Sequence, residues 1–331
     1  MTSKSGATLR PPSSTTIARI VELACRAPSM HNTQPWRWTA DGDGLVRLYV
    51  DRGRQLVLED PAGRNAVISC GAVLDHLVVA AQALGWDGEV VRFPKGPGND
   101  LLAEVRLEQS QPSPTAVDDL EAIRTRQTDR RRYTSWPVPD EVLHALVAEA
   151  RRRGAHARAL DDEVVRFHLE RLAERARVLR AADPIAQAEL ERWVDHSAED
   201  GVPGDVLPSD TDPAVSPPSR FPAGSVHETR TVSSPGDGVI VLGGAFDDRA
   251  GWLRTGEALS RIWLRATRDG MSVVPLSLPV EVDAVRHELR KELLRYEFAP
   301  HLLVRVGWQA IGREPLPATP RRAVSEVLRT T

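Results

Sequence analysis

Two long helical segments that align with each other at one constant offset constrain the fold of this chain most strongly. The spacing of apolar residues predicts one helix over 66–84 and another over 250–269. At one constant offset the matched pairs are Arg64/Arg249, Gly71/Gly256, Leu74/Leu259, Ala81/Ala266 and Gly85/Gly270. A short β-rich segment follows each helix, at 90–93 and 272–275. Two amphipathic helices share some apolar positions by chance, but matching glycines at both ends favour an internal duplication.

The rest of the chain mixes predicted helices with predicted strands. The spacing of apolar residues predicts helices over 13–27, 140–152, 161–180 and 281–295, and a short helix over 189–197. Runs rich in β-branched residues predict strands over 46–50, 89–93, 104–107, 238–242 and 302–306. A polar stretch with two prolines at 109–115 is typical of a connector between two halves.

Composition and charge are those of a soluble globular protein. The 331 residues are 41% hydrophobic and 27% charged, and the net charge of -3 gives no reason to expect nucleic acid as a partner. We expect no stretch that is long and apolar enough to span a bilayer, and residues 1–7 lack the apolar core of an export signal. Cys25 and Cys70 lie far apart without other metal-type ligands, so neither a disulfide nor a metal site is expected. A reducing cytoplasm is then the natural setting.

A proline-rich insertion interrupts the second half of the chain at about 183–237. Its part at 200–237 holds seven prolines among many Ser, Asp and Gly residues. Long irregular segments inside a compact domain are either functional lids or disordered. In the lid hypothesis, Val206 and Leu207 turn toward a bound ligand while Asp205, Asp210 and Asp212 face water. The alternative is a plain surface insertion.

The first segment suited to chemistry is the loop at 27–36, Ala-Pro-Ser-Met-His-Asn-Thr-Gln-Pro-Trp, directly after the first helix. Two prolines stiffen the turn, while Ser29, Asn32 and Gln34 place short polar groups on an exposed backbone. Such a loop can present N–H and amide groups to a planar polar ligand, with Trp36 as its apolar base. An ordinary helix-terminating loop would have the same composition, so the residues alone leave both interpretations open.

Three later segments carry further candidate residues. The run Arg-Gln-Thr-Asp-Arg at 126–130, with Tyr133 soon after it, offers two guanidiniums and a hydroxyl, which can neutralise and hydrogen-bond a phosphate dianion. A basic tail follows the last predicted strand at 316–322, and Val-Val-Pro-Leu-Ser follows the second matched helix at 273–277. The chain has only three lysines, so nearly all of its positive charge is arginine and arginine clusters arise by chance. Such a cluster is evidence of a binding site only where its position in the chain supports one.

Together these segments resemble those of nitroreductase-family flavoproteins. The loop is similar to the family's Pro-Ser-x-x-Asn-x-Gln-Pro-Trp motif, and the run at 126–130 to its Arg-x-Ser/Thr-x-Arg segment, which grips the FMN phosphate. The tail resembles the family's basic C-terminal segment, which also reaches the phosphate, and 273–277 resembles the loop that offers backbone N–H to the flavin near N5. Because the loop and the basic segments lie in different halves, the chain looks like the Acg-type branch, in which one chain imitates the usual dimer and keeps one FMN site.

The resemblance implies a fold and a set of cofactor-binding residues. The fold class would be α+β and nitroreductase-like with an internal duplication: antiparallel-rich central sheets flanked by helices, with two long central helices. The N-terminal half would span 1–115 and the C-terminal half, with its insertion, 116–331. The residues expected to bind FMN are Pro28, Ser29, Met30, His31, Asn32, Gln34, Arg126, Thr128, Arg130, Leu276, Ser277, Leu316, Thr319, Pro320, Arg321 and Arg322.

The resemblance also implies an activity. Two-electron chemistry would run at the flavin, with NAD(P)H as the electron donor and a nitro- or quinone-like small molecule as the acceptor. No side chain is an obvious acid or base, so we expect no catalytic residue. The rival hypothesis is an FMN-sequestering protein with a lidded site and little turnover, and a third is a scaffold that has lost FMN. No dimer would be needed for the site: the chain would be a monomeric pseudo-dimer, or a homodimer that pairs through another surface. A Rossmann NAD domain is disfavoured because no Gly-x-Gly-x-x-Gly fingerprint opens a helix.

Overall fold

Two sheets flanked by helices make up the part of the chain that the computed structural model describes, residues 11–209, 220–221, 223–226 and 236–330. The helices are α1 (Ser14–Ala24), α2 (Arg64–Ala83), α3 (Ala116–Thr125), α4 (Asp140–Arg152), α5 (Glu163–Ala181), α6 (Pro184–Arg192), α7 (Arg249–Arg268), α8 (Leu278–Glu281), α9 (Asp283–Glu288) and α10 (Val324–Val327). The strands are β1 (Trp36–Ala40), β2 (Leu45–Val50), β3 (Trp86–Arg92), β4 (Leu101–Gln109), β5 (His156–Ala159), β6 (Gly238–Gly244), β7 (Met271–Leu276), β8 (Ala299–Trp308) and β9 (Leu328–Thr330).

The sheets join the two ends of the chain. The first sheet has the strand order β3-β4-β2-β1-β9 and is antiparallel except at β9, which runs parallel to β1 with Leu328 opposite Trp38. The second has the order β5-β6-β8-β7 and is antiparallel throughout. The C-terminal half therefore supplies the last strand of the N-terminal sheet.

The helices α2 and α7 pack against each other and cross at their matched glycines. A Cβ atom at Gly71 would lie 2.1 Å from the carbonyl oxygen of Leu253, and one at Gly256 would lie 1.9 Å from that of Ile68. Because both obstacles are backbone atoms, neither position accepts a side chain unless a helix moves. The predicted α+β fold with antiparallel-rich sheets, two long central helices and an internal duplication is confirmed.

One expectation about α2 is wrong. This helix is long and apolar enough to cross a membrane by length and composition, although no such segment was expected. However, 94% of its apolar window is buried inside the protein, where it packs against α7, α1 and α3. A helix that is apolar on all sides and covered on all sides is the central helix of a core.

Several boundaries differ from the predictions for local reasons. The short helix α6 begins at Pro184 rather than at 189, because the Asp183 carboxylate accepts from the N–H groups of Ile185 and Ala186 and proline suits the first turn. The helix α4 occupies the predicted range, and the connector before residue 115 leads directly into α3, which was not predicted.

The described residues of the insertion form a small core of their own. Its members are Leu190, Val202, Val206, Leu207 and Phe221, with Val194 and Leu316 packed against them. Val206 and Leu207 therefore pack within the insertion instead of turning toward a ligand. Asp205 is exposed as expected, while Asp210 and Asp212 lie outside the described residues.

Candidate functional site

A cavity of about 590 Å³, a size typical of small-molecule sites, is lined by residues from both halves of the chain. Its walls include Pro28, Ser29, Met30 and His31 of the loop, Ile68 and Ser69 of α2, Thr128 and Arg130 after α3, Leu259 and Trp263 of α7, and Leu276 and Ser277 after β7. Three of the four segments singled out in the sequence thus meet at one place.

The loop after α1 reaches the cavity through an unusual backbone. His31, Asn32 and Gln34 have positive φ angles of 48°, 55° and 49°, which non-glycine residues rarely adopt. Ser29 Oγ accepts from the N–H of Gln34 at 3.0 Å, and Ser69 Oγ on α2 accepts from the N–H of Met30 at 3.3 Å. The neighbouring hydroxyls therefore hold the loop in a conformation that costs backbone energy, as is common at functional sites.

Two of the predicted loop residues bond to the protein instead of facing the cavity. The Asn32 amide donates to the carbonyls of Gly201 and Pro320, both at 3.0 Å. The Gln34 amide donates to the carbonyl of Glu199 at 2.8 Å. Both amides join the loop to the insertion, and Asn32 also joins it to the C-terminal tail.

Only part of the basic segment at 126–130 lines the cavity. Thr128 and Arg130 line the cavity, whereas Arg126 lies behind it with its guanidinium 4.5 Å from the centroid of the Trp263 ring. Arg126 Nη2 donates to the carbonyl of Arg26, but Nε and Nη1 have no hydrogen-bond partner among the described residues. Burial lowers the pKa of Arg126 well below its usual value, and the charges of Arg321 and Arg26 lower it further. Burying such a cation lowers the stability of the fold unless an anion lies close to it.

The C-terminal tail binds the end of α1 and the loop. The Arg321 guanidinium donates to the carbonyls of Cys25, Arg26 and Ala27 at 3.0, 3.1 and 3.3 Å. Arg126 and Arg321, both expected near the phosphate, thus share the Arg26 carbonyl. The other predicted tail residues are also engaged: Thr319 Oγ1 accepts from Arg321, the carbonyl of Pro320 accepts from Asn32, the N–H of Arg322 donates to Gln34, and Leu316 packs against the small core of the insertion.

The turn between β7 and α8 closes another side of the cavity. Leu276 pairs with Leu303 at the end of β7, and Ser277 precedes α8. Both predicted residues line the cavity, together with Pro275 and Pro279. Two prolines so close together make this wall rigid.

An ion cluster from the insertion completes the wall and could not be found from the sequence. Arg220 donates to the Glu59 carboxylate at 2.9 Å and to the Glu281 carboxylate at 2.7 Å, and all three side chains are almost completely buried. Glu59 belongs to the N-terminal half and Glu281 ends α8. Arg220 therefore joins the insertion to both halves at the edge of the cavity.

The residue after this arginine also lines the cavity. The ring centroid of Phe221 lies 5.3 Å from that of His31, edge to face, and the Arg130 guanidinium lies 4.7 Å from the Phe221 centroid. Glu59, Arg220, Phe221 and Glu281 carry no local motif, since only the folded chain brings them together.

A Ser-His-Asp grouping elsewhere is structural. Ser260 Oγ donates to Asp75 at 2.6 Å and lies 2.8 Å from His76 Nδ1. All three residues are buried between α2 and α7, and Arg153 and Arg261 neutralise the aspartate. A nucleophile must meet its substrate, so this grouping serves the helix interface.

Comparisons with known proteins find relatives along nearly the whole chain. The chain is 36% identical over 324 residues to "Putative NAD(P)H nitroreductase Rv3131" of Mycobacterium tuberculosis, covering 96% of this chain and 92% of that protein. It is 35% identical over 326 residues to "Putative NAD(P)H nitroreductase acg" of the same organism, covering 94% of each. Among solved structures, the FMN-dependent nitroreductase NfnB from Mycobacterium smegmatis, in complex with NADPH, matches 65% of this chain and 99% of that chain at 16% identity with a TM-score of 0.43. No protein-family model matches the chain.

Proposed function

We propose, from the premise that this chain belongs to the nitroreductase family, that it is an oxidoreductase that binds one FMN in the cavity between its halves. In this proposal, residues 1–115 supply the loop and residues 116–331 the basic segments. The observation that supports it most is the convergence of residues 28–31, Thr128 with Arg130, and Leu276 with Ser277 on one cavity. These segments are far apart in the sequence, and only the folded chain brings them to one cavity.

The charge behind the cavity suits the phosphate end of FMN. The buried Arg126 has two guanidinium nitrogens without a partner among the described residues. Burial, with the charge of Arg220, lowers the pKa of Arg130 to about 10, and Asp129 only partly opposes this. A phosphate dianion near these two arginines would stabilise both charged forms. We therefore place the phosphate near Thr128, with Arg130 beside it and Arg126 and Arg321 behind.

The apolar walls suit the flavin ring. Ile68, Leu259 and Trp263 offer flat hydrophobic surface from the two central helices. FMN, when bound, would supply reversible two-electron transfer. The chain's own contribution would be to orient the ring and to exclude water, with the turn at Leu276 and Ser277 along one ring edge.

NAD(P)H is the proposed electron donor, and a nitro- or quinone-like small molecule the proposed acceptor. The test is anaerobic stopped-flow mixing of the FMN-loaded protein with NADPH and, separately, NADH. Bleaching of the flavin absorbance during mixing supports the proposal. A flavin that stays oxidised with both donors but is reduced by dithionite contradicts it.

A second candidate function is FMN sequestration with little turnover, and Arg220 and Phe221 are the observation that favours it. Phe221 lines the cavity beside His31, and two carboxylates fix the adjacent Arg220, so in this hypothesis the insertion stands where nicotinamide must stack. Removing residues 200–237 should then accelerate flavin reduction by NADPH. Arg220→Gln with Phe221→Ala is a sharper variant, because it leaves the bonds of Asn32 and Gln34 in place.

The matched control is Arg175→Gln, which removes an exposed arginine paired with Glu288. Sequestration predicts faster reduction in the Arg220 and Phe221 variant and no change in the control. Equal rates of flavin reduction in the wild type, the Arg220 and Phe221 variant and the Arg175 control would contradict a covering role for the insertion.

A further inference from the structure

His31 stands out in the cavity wall because its ring is fixed by a buried carboxylate. Its Nε2 lies 2.5 Å from Glu59 Oε2, and both side chains are almost completely buried. The backbone of His31 has a positive φ of 48°, which non-glycine residues rarely adopt. Nothing in the motif requires histidine here, since the family pattern leaves this position open.

The contact with Glu59 determines which ring nitrogen can meet a ligand. Burial, the largest effect, lowers the pKa of His31 and favours the neutral imidazole, although the Glu59 carboxylate partly opposes it. A neutral imidazole has one N–H, and a carboxylate can only accept. The proton therefore resides on Nε2, and Nδ1 is left as an acceptor on a ring that lines the cavity.

Arg220 fixes the other side of the same carboxylate. Glu59 Oε1 accepts from Arg220 while Oε2 accepts from His31, so the carboxylate cannot rotate without losing a contact. Arg220 is itself held by Glu281 at 2.7 Å. The insertion thus sets the orientation of a ring that belongs to the opposite half of the chain.

We propose that His31 selects what binds in the cavity by accepting, at Nδ1, a hydrogen bond from an N–H or O–H group of the bound molecule. Glu59 and Arg220 are positioning residues that keep the ring in this state. The inference rests on the proposed function, because the donor group belongs either to the acceptor molecule or to the flavin, whose N3–H is also a donor.

Two matched probe pairs test this by isothermal titration calorimetry. One pair is 4-nitrobenzyl alcohol and its methyl ether, titrated into the FMN-loaded protein. The other is FMN and N3-methyl-FMN, titrated into the flavin-free protein. In at least one pair the molecule with the donor should bind about two- to tenfold tighter, as one net hydrogen bond allows. His31→Phe should abolish this preference, whereas His144→Gln, on the exposed face of α4, should retain it.

The tautomer is measured separately, so that a poorly folded variant does not decide the outcome. NMR of the ¹⁵N-histidine-labelled wild-type protein should show His31 protonated at Nε2 and not at Nδ1, and Arg220→Met should weaken that preference. A proton on Nδ1, equal affinities within both pairs, or a preference that survives in His31→Phe would overturn the inference. Equal affinities within both pairs, in a protein that still binds FMN, overturn this inference alone, whereas a failure to bind FMN contradicts the proposed function.

Discussion

Gly256→Ala would test whether the duplicated helices support both the fold and the cavity. The new Cβ would lie 1.9 Å from the carbonyl oxygen of Ile68 and 2.8 Å from both the amide nitrogen of Ala72 and the Cα of Gly71. Ordinary contact begins near 3.4 Å, so α2 and α7 must separate by about 1.5 Å, the difference between 3.4 and 1.9 Å. No flexible side chain can absorb this movement, because all three atoms are backbone.

The expected loss of stability follows from two opposing effects. Overpacking a tight contact costs about 1–3 kcal/mol, and the upper end applies where backbone meets backbone. Alanine recovers about 1 kcal/mol of helix propensity over glycine. We expect a net loss of about 2 kcal/mol. For 331 residues unfolding as one unit, at about 2.1 cal/mol/K per residue, this lowers Tm by about 3 °C.

The same change should weaken flavin binding, since the displaced turn forms part of the cavity. Ile68 and Ser69 line the cavity, and Ser69 Oγ accepts from the N–H of Met30. Urea unfolding followed by circular dichroism would measure stability, and flavin fluorescence would measure FMN affinity. Gly42→Ala is the matched control, because nothing lies within 4 Å of its new Cβ. Wild-type stability in Gly256→Ala would refute the close helix crossing.

Three further predictions concern the site. Heat-released flavin should approach one FMN per chain, and two equivalents would contradict the complementary halves. Arg126→Ala with Arg130→Ala should remove FMN while circular dichroism stays unchanged, because each charge-assisted contact contributes about 1.5–3 kcal/mol; full flavin occupancy would refute the phosphate assignment. Burial acts to raise the pKa of Asp200, but hydrogen bonds from Ser197, His196 and Arg54 outweigh it and hold the pKa below 3.8. Its stabilisation is therefore present above about pH 4 and lost as pH falls through the lowered folded-state pKa. Protease should then cut the insertion in acid, and Asp200→Asn should be cut already at pH 7; equal resistance would contradict this.

Sequence reasoning succeeded where a local pattern carries the information. The apolar spacing of residues 66–84 and 250–269 predicts the two long central helices, and their matched glycines predict the internal duplication. The range of α4 follows from its apolar spacing and the acidic residues of its first turn. The convergence of the loop at 28–31 with Thr128 and Arg130 follows from the resemblance to the family.

The remainder depends on contacts between distant segments. Asn32 and Gln34 look like ligand-binding amides, yet their partners at Glu199, Gly201 and Pro320 belong to the insertion and the tail. An amide offers the same donors to a flavin and to a carbonyl, so composition cannot distinguish the two. The pairing of Arg220 with two glutamates is equally invisible along the chain.

The duplication also suggests why one chain should hold one flavin instead of two. The match that pairs Gly71 with Gly256 also pairs Ser69 with Arg254 and Trp263 with Val78. Ser69 leaves room in the cavity and accepts from the loop, whereas Arg254 extends to the carbonyl of Arg153 at 3.3 Å. At the positions equivalent to the cavity wall, the chain therefore has the long cationic side chain of Arg254 in place of the Ser69 hydroxyl. It also has Val78 in place of the flat ring of Trp263. The helices α2 and α7 have the same residue at their crossing, because close packing there requires glycine. They differ at the positions where each helix contacts other segments of the chain.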